Sequence, residues 1–583
     1  MNGGAPAHPR VATRPMMRLA AGDMRMLLGV ALLLAACSGA GQPTAPALPT
    51  FVPPGMSENP LALGAAGTPA PGGPQLGAIS NYHFDVALDY AGHRVQVSQL
   101  VEVINPGPDM WTELVFFLPG DLQTARFTVS TVRLQEQVET AGTQLRFTPD
   151  GFLTLRLPQG LNPHESRLVS ITYGLEAAEV ELATRRPAGD VGYGEDVLQF
   201  INWYPRLVPY HPGRGWERWA STDVGPPLLA EVADYQMQVR APDGIVVASG
   251  GPVERRGNEW QFQMQNARSI AFSASPDYEL KTRTEAGVTI YVFHLREHAF
   301  AAEAVLEAAT RALVLFNDQF GHYPYRSLVI AQDVYLSSVT AGGLMLHSGQ
   351  GFEDYAGQPD TLLMALLPLT MAHIWWGQVV GYNPIAEPWL GASLAMYSEY
   401  LYLERYHPDM KDWYWRDRID YWQPEGALNL TAYDLESTEG LLQNTYRVGA
   451  RFLHELRTGM GPAAFRRFTR DLFRNGAFKL VNGGDFFNTL RRYADEYPQL
   501  VIARYFDETV TMPTLPPPLT LRPTPGPPLI ATPTQRIHVV QPDETLIGIS
   551  IQYEVPIQMI IDRNHITDRA TIQVGSKLVI PYP

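Results

Sequence analysis

Two periodicities divide the first five hundred residues of the chain. From Tyr82, apolar and polar residues alternate in short runs such as YHFDVALDY, RVQVSQLVEVIN and RLVSITYGL, which are broken by Gly, Pro and Asn. A period of two puts one face of each run into a core and is typical of β-strands. The alternation continues to near Glu285 and predicts an all-β domain.

From Val288 the pattern becomes mixed. The strand-like run VTIYVFHL precedes AFAAEAVLEAATRALVLFNDQFG, whose apolar spacing is helical and which ends at Gly321, because glycine commonly terminates helices. A further strand-like run, a glycine-rich segment and several apolar helical patterns follow, to about Met512. A small sheet followed by many helices predicts an α+β, mostly helical domain.

Proline marks off the end of the chain. The tract PTLPPPLTLRPTPGPPLIATPTQ predicts an extended, semi-stiff linker. After it, the strand-like IHVV, two short helical patterns and the closing strand KLVIP give a β-α-α-β order. The sequence therefore predicts a multidomain protein with these parts: signal peptide 1–37, disordered linker 38–78, β-rich domain 79–286, mostly helical domain 287–512, proline-rich linker 513–535 and a small β-α-α-β domain 536–583.

The N-terminal region has the order of an export signal. Met26–Ala36 is an apolar run too short to span a bilayer, and Arg18 and Arg25 precede it. The run ends at Leu-Ala-Ala-Cys, which resembles the lipobox of bacterial lipoproteins, so Cys37 is the predicted lipidation site. An ordinary signal peptide and a buried thiol are the alternatives.

Composition excludes some classes of function. The chain has 583 residues, 45% of them hydrophobic and 18% charged, which suits folded domains with large cores. With a formal net charge of -15 and no run of Lys or Arg, it is a poor candidate for binding nucleic acid or anionic lipid. A single cysteine excludes an internal disulfide framework.

Candidate chemistry centres on LLPLTMAHIWWGQ, which has the frame of a zinc-peptidase helix. In that design two histidines at i and i+4 project from one helix face, and a glutamate beside the first acts as general base. A second glutamate further on supplies the third protein ligand. Here only His373 is present, at the second position; Leu369 stands four residues earlier and Thr370 holds the place of the base.

Residues 82 to about 508 resemble the zinc aminopeptidase (gluzincin) family of membrane alanyl aminopeptidase. The resemblance implies an N-terminal β domain and a thermolysin-like domain. The segments that carry it are Trp203-Tyr204-Pro205, Phe320-Gly321-His322-Tyr323-Pro324-Tyr325, His373-Ile374-Trp375-Trp376-Gly377 and Pro388-Trp389-Leu390 with Leu394, Ala395 and Tyr397.

The family's functional residues do not carry over. Its third zinc ligand maps to Ala392, and the segment Ala341–Leu346 has no carboxylate in the place of the G-x-M-E-N motif that holds a substrate amine. Tyr446 resembles the tyrosine that stabilises the oxyanion. Because a catalytic zinc needs three protein ligands, the sequence predicts no cofactor and an inactive, pseudoenzyme body. His373 and Tyr446 are then interpreted as a hydrogen-bonded core histidine and a packing tyrosine.

Two alternatives would make the chain an active enzyme. A relocated metal site would draw on His347, Glu353 and Glu399, although no pair of them has ligand spacing. The chain would then be an active zinc metallopeptidase with an atypical ligand set. The second alternative is a peptidoglycan hydrolase, which no paired-carboxylate or Cys-His arrangement supports.

The C-terminal unit resembles a LysM domain. VVQPDETL matches its opening V-x-P-G-D-T-L, with Asp543 in place of glycine and Glu544 in place of aspartate. The resemblance implies binding of peptidoglycan or another N-acetylglucosamine polymer in a groove between two loops; a small structural cap is the alternative. The predicted groove residues are Asp543, Glu544, Thr545, Leu546, Asn564, His565 and Ile566.

Together these observations predict an extracytoplasmic lipoprotein of the bacterial cell envelope. A lipid anchor would hold it to the membrane, the LysM module would bind glycan, and the inactive body between them would bind peptides or proteins. No nucleic-acid partner is expected.

Overall fold

A computed structural model describes two compact units, Met1–Pro513 (the body) and Thr514–Pro583 (the C-terminal unit). The predicted signal peptide, Cys37 and both linkers lie outside the described residues. Those described are 79–118, 126–134, 151–180, 191–194, 196–219, 230–435, 437–493 and 497–507 of the body, and 536–541, 546, 549, 553, 557–564, 566 and 573–580 of the C-terminal unit.

The fold class predicted from sequence is confirmed: the body begins with β-strands and continues with helices. The strands of the body are β1 Asn81–Asp89, β2 Arg94–Ile104, β3 Trp111–Phe117, β4 Phe127–Leu134, β5 Phe152–Leu161, β6 Ser166–Glu176, β7 Ala178–Glu179, β8 Val191–Tyr193, β9 Leu198–Phe200, β10 Arg206–Leu207, β11 Tyr210–His211, β12 Gly215–Trp216, β13 Ala233–Arg240, β14 Val246–Ser249, β15 Val253–Arg256, β16 Glu259–Ala267, β17 Phe272–Ser275, β18 Tyr278–Glu285, β19 Val288–Leu295, β20 Ser327–Gln332, β21 Val339–Ala341, β22 Leu344–His347, β23 Gly381–Tyr382 and β24 Leu480–Val481.

Helices dominate from residue 296 onward. The α-helices of the body are α1 Ala299–Gln319, α2 Gly349–Asp354, α3 Leu362–His373, α4 Trp389–Tyr406, α5 Lys411–Trp413, α6 Thr438–Leu441, α7 Gly449–Met460, α8 Pro462–Gly476, α9 Gly483–Leu490 and α10 Tyr497–Tyr505. Short 3-10 turns cover Arg296–His298, Pro408–Met410 and Asp420–Trp422, and π-helical turns cover Ile374–Val379, Tyr414–Ile419 and Leu442–Val448.

The first β-rich part is built on a sheet with the strand order β15-β16-β13-β1-β2-β6-β4 among the described residues. β1 runs parallel to β13, with Tyr82 opposite Tyr235, and antiparallel to β2. Alternate residues of β1 and β2 are buried, as the period-two pattern predicts. The aromatic segment after β9 completes this core, because Trp203 and Tyr204 are fully buried and Trp203 Nε1 donates to the Ile270 carbonyl at 3.0 Å.

A second, mixed sheet supports the helices. Its order is β18-β19-β20-β22-β21, in which β19, β20 and β22 are parallel and the two outer strands are antiparallel to their neighbours. The predicted domain boundary at 286/287 falls in the turn between β18 and β19. α1 buries an alanine-rich face in the core that this sheet shares with α3, α4 and α7.

One helical stretch of the described chain, Leu362–Val379, is long and apolar enough to cross a membrane, with a mean hydropathy of 1.3. Two thirds of it (67%) is buried inside the protein, which is how the core helix of a folded domain passes the same test. This stretch contains α3 and the zinc-helix motif, so its apolar character is explained by packing.

The C-terminal unit has its own small core. β25 Arg536–Val539 pairs antiparallel with β26 Lys577–Ile580, and α11 Ile557–Asn564 packs on β26. The apolar residues that fill this core are Val540, Leu546, Ile549, Ile560, Ile561, Leu578 and Ile580.

Candidate functional site

The candidate site lies at the C-terminal end of α3 and the turn that follows it. The apolar run of α3 is buried along most of its length, and the α-helix gives way to a π-helical turn directly after His373. Trp375 and Trp376 in that turn are buried, and Trp375 Nε1 donates to the Gly321 carbonyl at 2.9 Å. The tryptophans of the motif therefore anchor the turn, whatever the chemistry of its neighbours.

The three positions where the family has chemical groups are filled by packing residues. Leu369, one helical turn before His373, is half-buried and packs against the main core of the body. Thr370 and Ala392 are each 3% exposed, and Ala392 lies in the first turn of α4, the helix packed against α3. Leu369 and Ala392 carry only carbon atoms on their side chains, so neither can ligate a metal.

The two retained groups meet in space. His373 Nε2 lies 3.2 Å from the Tyr446 hydroxyl, and the rings meet edge to face with centroids 5.8 Å apart. Tyr446 comes from the π-helical turn Leu442–Val448, 73 residues further along the chain. The structure thus brings together His373 and Tyr446, the two residues that the resemblance matches to groups of the family's active site.

Both members of this pair are uncharged near neutral pH. Burial lowers the pKa of His373 to about 4, although a hydrogen bond with the Trp376 backbone acts in the opposite direction. Burial also raises the pKa of Tyr446 to about 12. A neutral imidazole and a neutral phenol can donate and accept hydrogen bonds, but the imidazole is too weak a base to take a proton from water efficiently at pH 7.

The candidates for a relocated metal site are each engaged elsewhere. His347 Nδ1 is 2.8 Å from the Ser338 hydroxyl, and its Nε2 is 3.0 Å from the Leu363 carbonyl. Glu353 is exposed on α2, where it accepts from Gln350 Nε2 at 3.4 Å. Among the residues that the structure describes, no group of three His, Cys, Asp or Glu side chains could hold a metal ion. Zinc, which the family resemblance implies, does not fit these residues.

Glu399 has a structural partner that the sequence did not reveal. Its carboxylate is fully buried on α4 and accepts two hydrogen bonds from Arg418, at 3.0 and 3.1 Å. Burial is the main cause that raises the pKa of Glu399, and Arg418 opposes the rise. Arg447 lies beside them, stacked 4.5 Å over the Trp422 ring and paired with Glu439 at 3.3 Å. The available signal was a lone acid in an apolar helix, which indicates a buried ion pair as readily as a metal ligand.

The segment in the place of the substrate-amine motif is a tight hairpin. β21 and β22 pair around Gly342 and Gly343, whose φ angles are 51° and 78°. The carboxylates nearest to it in the sequence are Asp333, which is buried and accepts from the Val334 amide at 2.6 Å, and Glu353, which is exposed.

In the C-terminal unit, the predicted groove residues divide into two groups. Asp543, Glu544, Thr545 and His565 lie outside the described residues. Leu546 is part of the core and Ile566 packs against it. Asn564 uses its side chain inside the fold: Nδ2 donates to the carbonyls of Ile560 and Val579, and Oδ1 accepts from the Val579 amide, at 2.7 to 2.8 Å. In this unit Asn564 joins α11 to β26.

The body shares its fold with two-domain zinc metallopeptidases. Solved structures agree: the M1 zinc metallopeptidase of Deinococcus radiodurans, as a mutant bound to a Tyr-Ser-Ala substrate, superposes with a TM-score of 0.52 at 18% identity, covering 75% of this chain and 95% of that chain. The same protein without the mutation gives a TM-score of 0.51 at 18% identity, covering 75% and 95% of the two chains.

Sequence relatives point the same way. Aminopeptidase N of Streptomyces lividans is 24% identical over 42% of this chain and 32% of its own length, and aminopeptidase N of Lactobacillus delbrueckii subsp. lactis is 26% identical over 43% and 33%. The matched region thus spans about a third of each curated relative. The LysM domain family matches residues 538–581. The chain therefore has an aminopeptidase-like body followed by a C-terminal LysM domain.

Proposed function

We propose that this chain is a cell-envelope lipoprotein whose aminopeptidase-like body binds peptides without cleaving them, and whose LysM domain binds peptidoglycan. The observation that carries the first part is the pairing of His373 with Tyr446 next to Leu369, with Ala392 in the third ligand position. One imidazole cannot hold a zinc ion that needs three protein ligands, and no carboxylate stands beside it to activate water.

What remains at the site suits peptide binding. The Tyr446 hydroxyl and the His373 imidazole are half-buried, neutral and within hydrogen-bonding reach of each other. Such groups orient a peptide amide, while the half-buried apolar side chain of Leu369, in the place of a metal ligand, offers a contact for an aliphatic or aromatic side chain. Mutation of either residue should therefore weaken the binding of a peptide to the body without changing any rate of hydrolysis.

Metal content and hydrolysis test this proposal together. Zinc per chain is measured in the purified protein after dialysis, and aminoacyl chromophores and quenched peptides are assayed with and without chelator. We expect no stoichiometric zinc and no hydrolysis above that of a His373→Ala control. One tightly held zinc per chain with chelator-sensitive hydrolysis would reject it and favour the active metallopeptidase with an atypical ligand set.

The envelope part of the proposal is supported by the LysM match and by the lipobox-like sequence before Cys37. LysM domains generally bind glycans that contain N-acetylglucosamine, such as peptidoglycan. Incorporation of labelled palmitate by the wild-type chain, and its loss in a Cys37→Ser variant, tests the anchor. Labelling that persists in the variant would exclude Cys37 as the site.

A further inference from the structure

The exposed face of α8 is made of arginine. Arg466, Arg467, Arg470 and Arg474 are all exposed, and their spacing places them within an arc of about 100° of the helix. The opposite side of α8 buries three phenylalanines and a leucine in the core of the body. From Arg466 to Arg474 the stripe is about 12 Å long, at about 1.5 Å per residue.

Two further basic residues extend this surface. Tyr493, after α9, lies under the Arg467 guanidinium, 6.0 Å from ring centroid to carbon, so the exposed Arg492 stands next to the stripe. Burial raises the pKa of Tyr493, and Arg474 and Arg492 both oppose that rise, which places the two arginines near the same hydroxyl. Lys479 is exposed just beyond the end of α8, where its Nζ donates to the Asn475 carbonyl at 3.0 Å. We call the surface formed by these six residues the arginine face: Arg466, Arg467, Arg470, Arg474, Lys479 and Arg492.

Among the described residues, nearby acids neutralise only part of this face. Asp318 pairs with Arg466 at 3.0 Å, and Asp471 pairs with Arg474. Arg470 donates to the backbone carbonyl of Asp318. Within the described part of the chain, four members form no ion pair with a carboxylate: Arg467, Arg470, Lys479 and Arg492.

This concentration of positive charge contrasts with a net charge of -15 for the whole chain. We propose that the arginine face binds the anionic phospholipid headgroups of a membrane surface. Guanidinium groups pair with phosphate through two parallel hydrogen bonds, and basic clusters are held at anionic bilayers by electrostatic attraction. Because the rest of the body is acidic, an anionic bilayer attracts this side and repels the others, which fixes the orientation of the body.

The shape of the surface favours a bilayer over a nucleic acid or a wall polymer. The arginines lie along one exposed helix face, and an exposed stripe of a single charge sign suits a planar array of headgroups. Bases of a single-stranded nucleic acid would need exposed aromatic rings to stack on. The aromatic ring of Tyr493 lies beneath Arg467, and its hydroxyl is engaged by Asp471.

This inference goes beyond the proposed function and does not depend on it, since it needs neither a lipid at Cys37 nor a ligand at His373. It also revises the expectation drawn from composition. The arginines at 466, 467, 470 and 474 form no run in the sequence, so only the helix brings them to one face.

Vesicle co-sedimentation tests the proposal with the full chain carrying Cys37→Ser, so that no acyl group contributes. The vesicles are phosphatidylcholine alone, or phosphatidylcholine mixed with phosphatidylglycerol. We expect binding to the mixed vesicles only, weakening as salt is raised because the charges are exposed. Arg467→Gln/Arg470→Gln/Arg474→Gln should reduce affinity roughly a hundredfold, from the loss of three surface cations.

The matched control is Arg256→Gln/Arg283→Gln/Arg296→Gln, which removes the same charge from the β-strands and a 3-10 turn elsewhere on the body. It should leave binding unchanged. A second variant, Arg467→Gln/Arg492→Gln, removes no ion pair among the described residues, so it should fold as the wild type does, which tryptophan fluorescence checks. It should weaken binding about tenfold or more. Equal loss in the control, or binding to phosphatidylcholine alone, would overturn the proposal. Binding to a soluble glycerol-phosphate polymer with none to vesicles would assign the face to the wall instead.

Discussion

At the scale of single residues, two histidines of the body are kept neutral by their surroundings. Burial lowers the pKa of His347 to about 3 and that of His373 to about 4. His347 has both ring nitrogens within hydrogen-bonding distance of oxygens, from Ser338 and Leu363. Since a carbonyl only accepts, Nε2 carries the proton and Nδ1 accepts from the hydroxyl. Protonating either ring in the folded body would therefore cost stability.

This gives a pH dependence of stability with a definite sign. An unfolded histidine takes up a proton near pH 6.5, whereas these two do so only near 3 and 4, so the unfolded state binds more protons below pH 6.5. The contribution of these histidines to the free energy of unfolding should be fully present above pH 6.5. It should fall toward pH 4 by about 1.4 kcal/mol per pH unit for each histidine. Urea unfolding followed by tryptophan fluorescence measures this in the body, where all eleven tryptophans lie.

The His347→Gln variant separates the two contributions. It should be less stable than the wild type at pH 7, because its amide cannot reproduce both hydrogen bonds, yet its stability should fall less steeply between pH 6.5 and 5. An unchanged slope would show that His347 is not protected from protonation in the folded state.

The second prediction at this scale concerns rebuilding the metal site. Leu369→His/Thr370→Glu/Ala392→Glu restores the family's pattern around His373. Without metal, the new buried carboxylates should destabilise the body by several kcal/mol, about 3 or more. With zinc bound only by the folded state, the melting temperature should rise with zinc concentration, while that of the wild type stays constant.

A closely matched control carries Ala392→Gln in place of Ala392→Glu, which keeps the size of the third side chain but removes its charge. Its zinc-dependent rise in melting temperature should be much smaller. If the carboxylate variant showed no rise at all, the positions inferred from the resemblance would not converge on one point.

At the scale of elements, the β-rich part and the second sheet meet through glycines. A Cβ on Gly250 would lie 1.8 Å from the Gly342 carbonyl oxygen, and a Cβ on Gly342 would lie 1.9 Å from the Ser269 carbonyl oxygen. Backbone therefore packs directly on backbone at the hairpin of β21 and β22. This contact holds the β21–β22 hairpin, which lies in the place of the substrate-amine motif, against the β-rich part of the body.

A Gly342→Ala substitution tests the contact. Gly342 has a positive φ of 51°, so alanine adds conformational strain of about 1 kcal/mol as well as the clash. We expect a total loss of about 3 kcal/mol in the urea unfolding free energy of the body. The control Gly244→Ala has a φ of 84° but nothing within 4 Å of its Cβ, so it should lose only the strain. Similar losses in both would show that the close approach is not tight.

The same scale explains the role of Asn564 in the C-terminal unit. Its three hydrogen bonds tie the end of α11 to β26, so Asn564→Ala should destabilise the unit by about 2 to 3 kcal/mol. Limited proteolysis of the full chain should show faster cleavage in residues 536–583, with the body unaffected. If glycan binding weakened with no change in proteolysis, Asn564 would act in the groove, as the sequence predicted.

At the scale of the whole molecule, the sequence was informative where periodicity or a contiguous motif carried the signal. The alternation from Tyr82 and the helical run ending at Gly321 each predicted elements that are present, and of the β-α-α-β order near the end the structure describes both strands and the second helix. Contacts between distant residues left no such trace. The pairing of His373 with Tyr446, of Glu399 with Arg418, and the gathering of arginines beside Tyr493 depend on the tertiary fold, because no local pattern encodes which helix faces meet.

The division into two compact units leads to the last prediction. Among the described residues, the apolar core of the C-terminal unit is formed by residues between Val540 and Ile580. A chain lacking residues 536–583 should therefore keep the melting temperature of the body within about 1 °C. For a domain of this size, a loss of ~1 kcal/mol would lower it by a few degrees. It should also lose sedimentation with purified cell wall, because the LysM domain would be the part that binds glycan. A deletion that lowers the melting temperature would show that the units stabilise each other, and one that still sediments would place wall binding in the body.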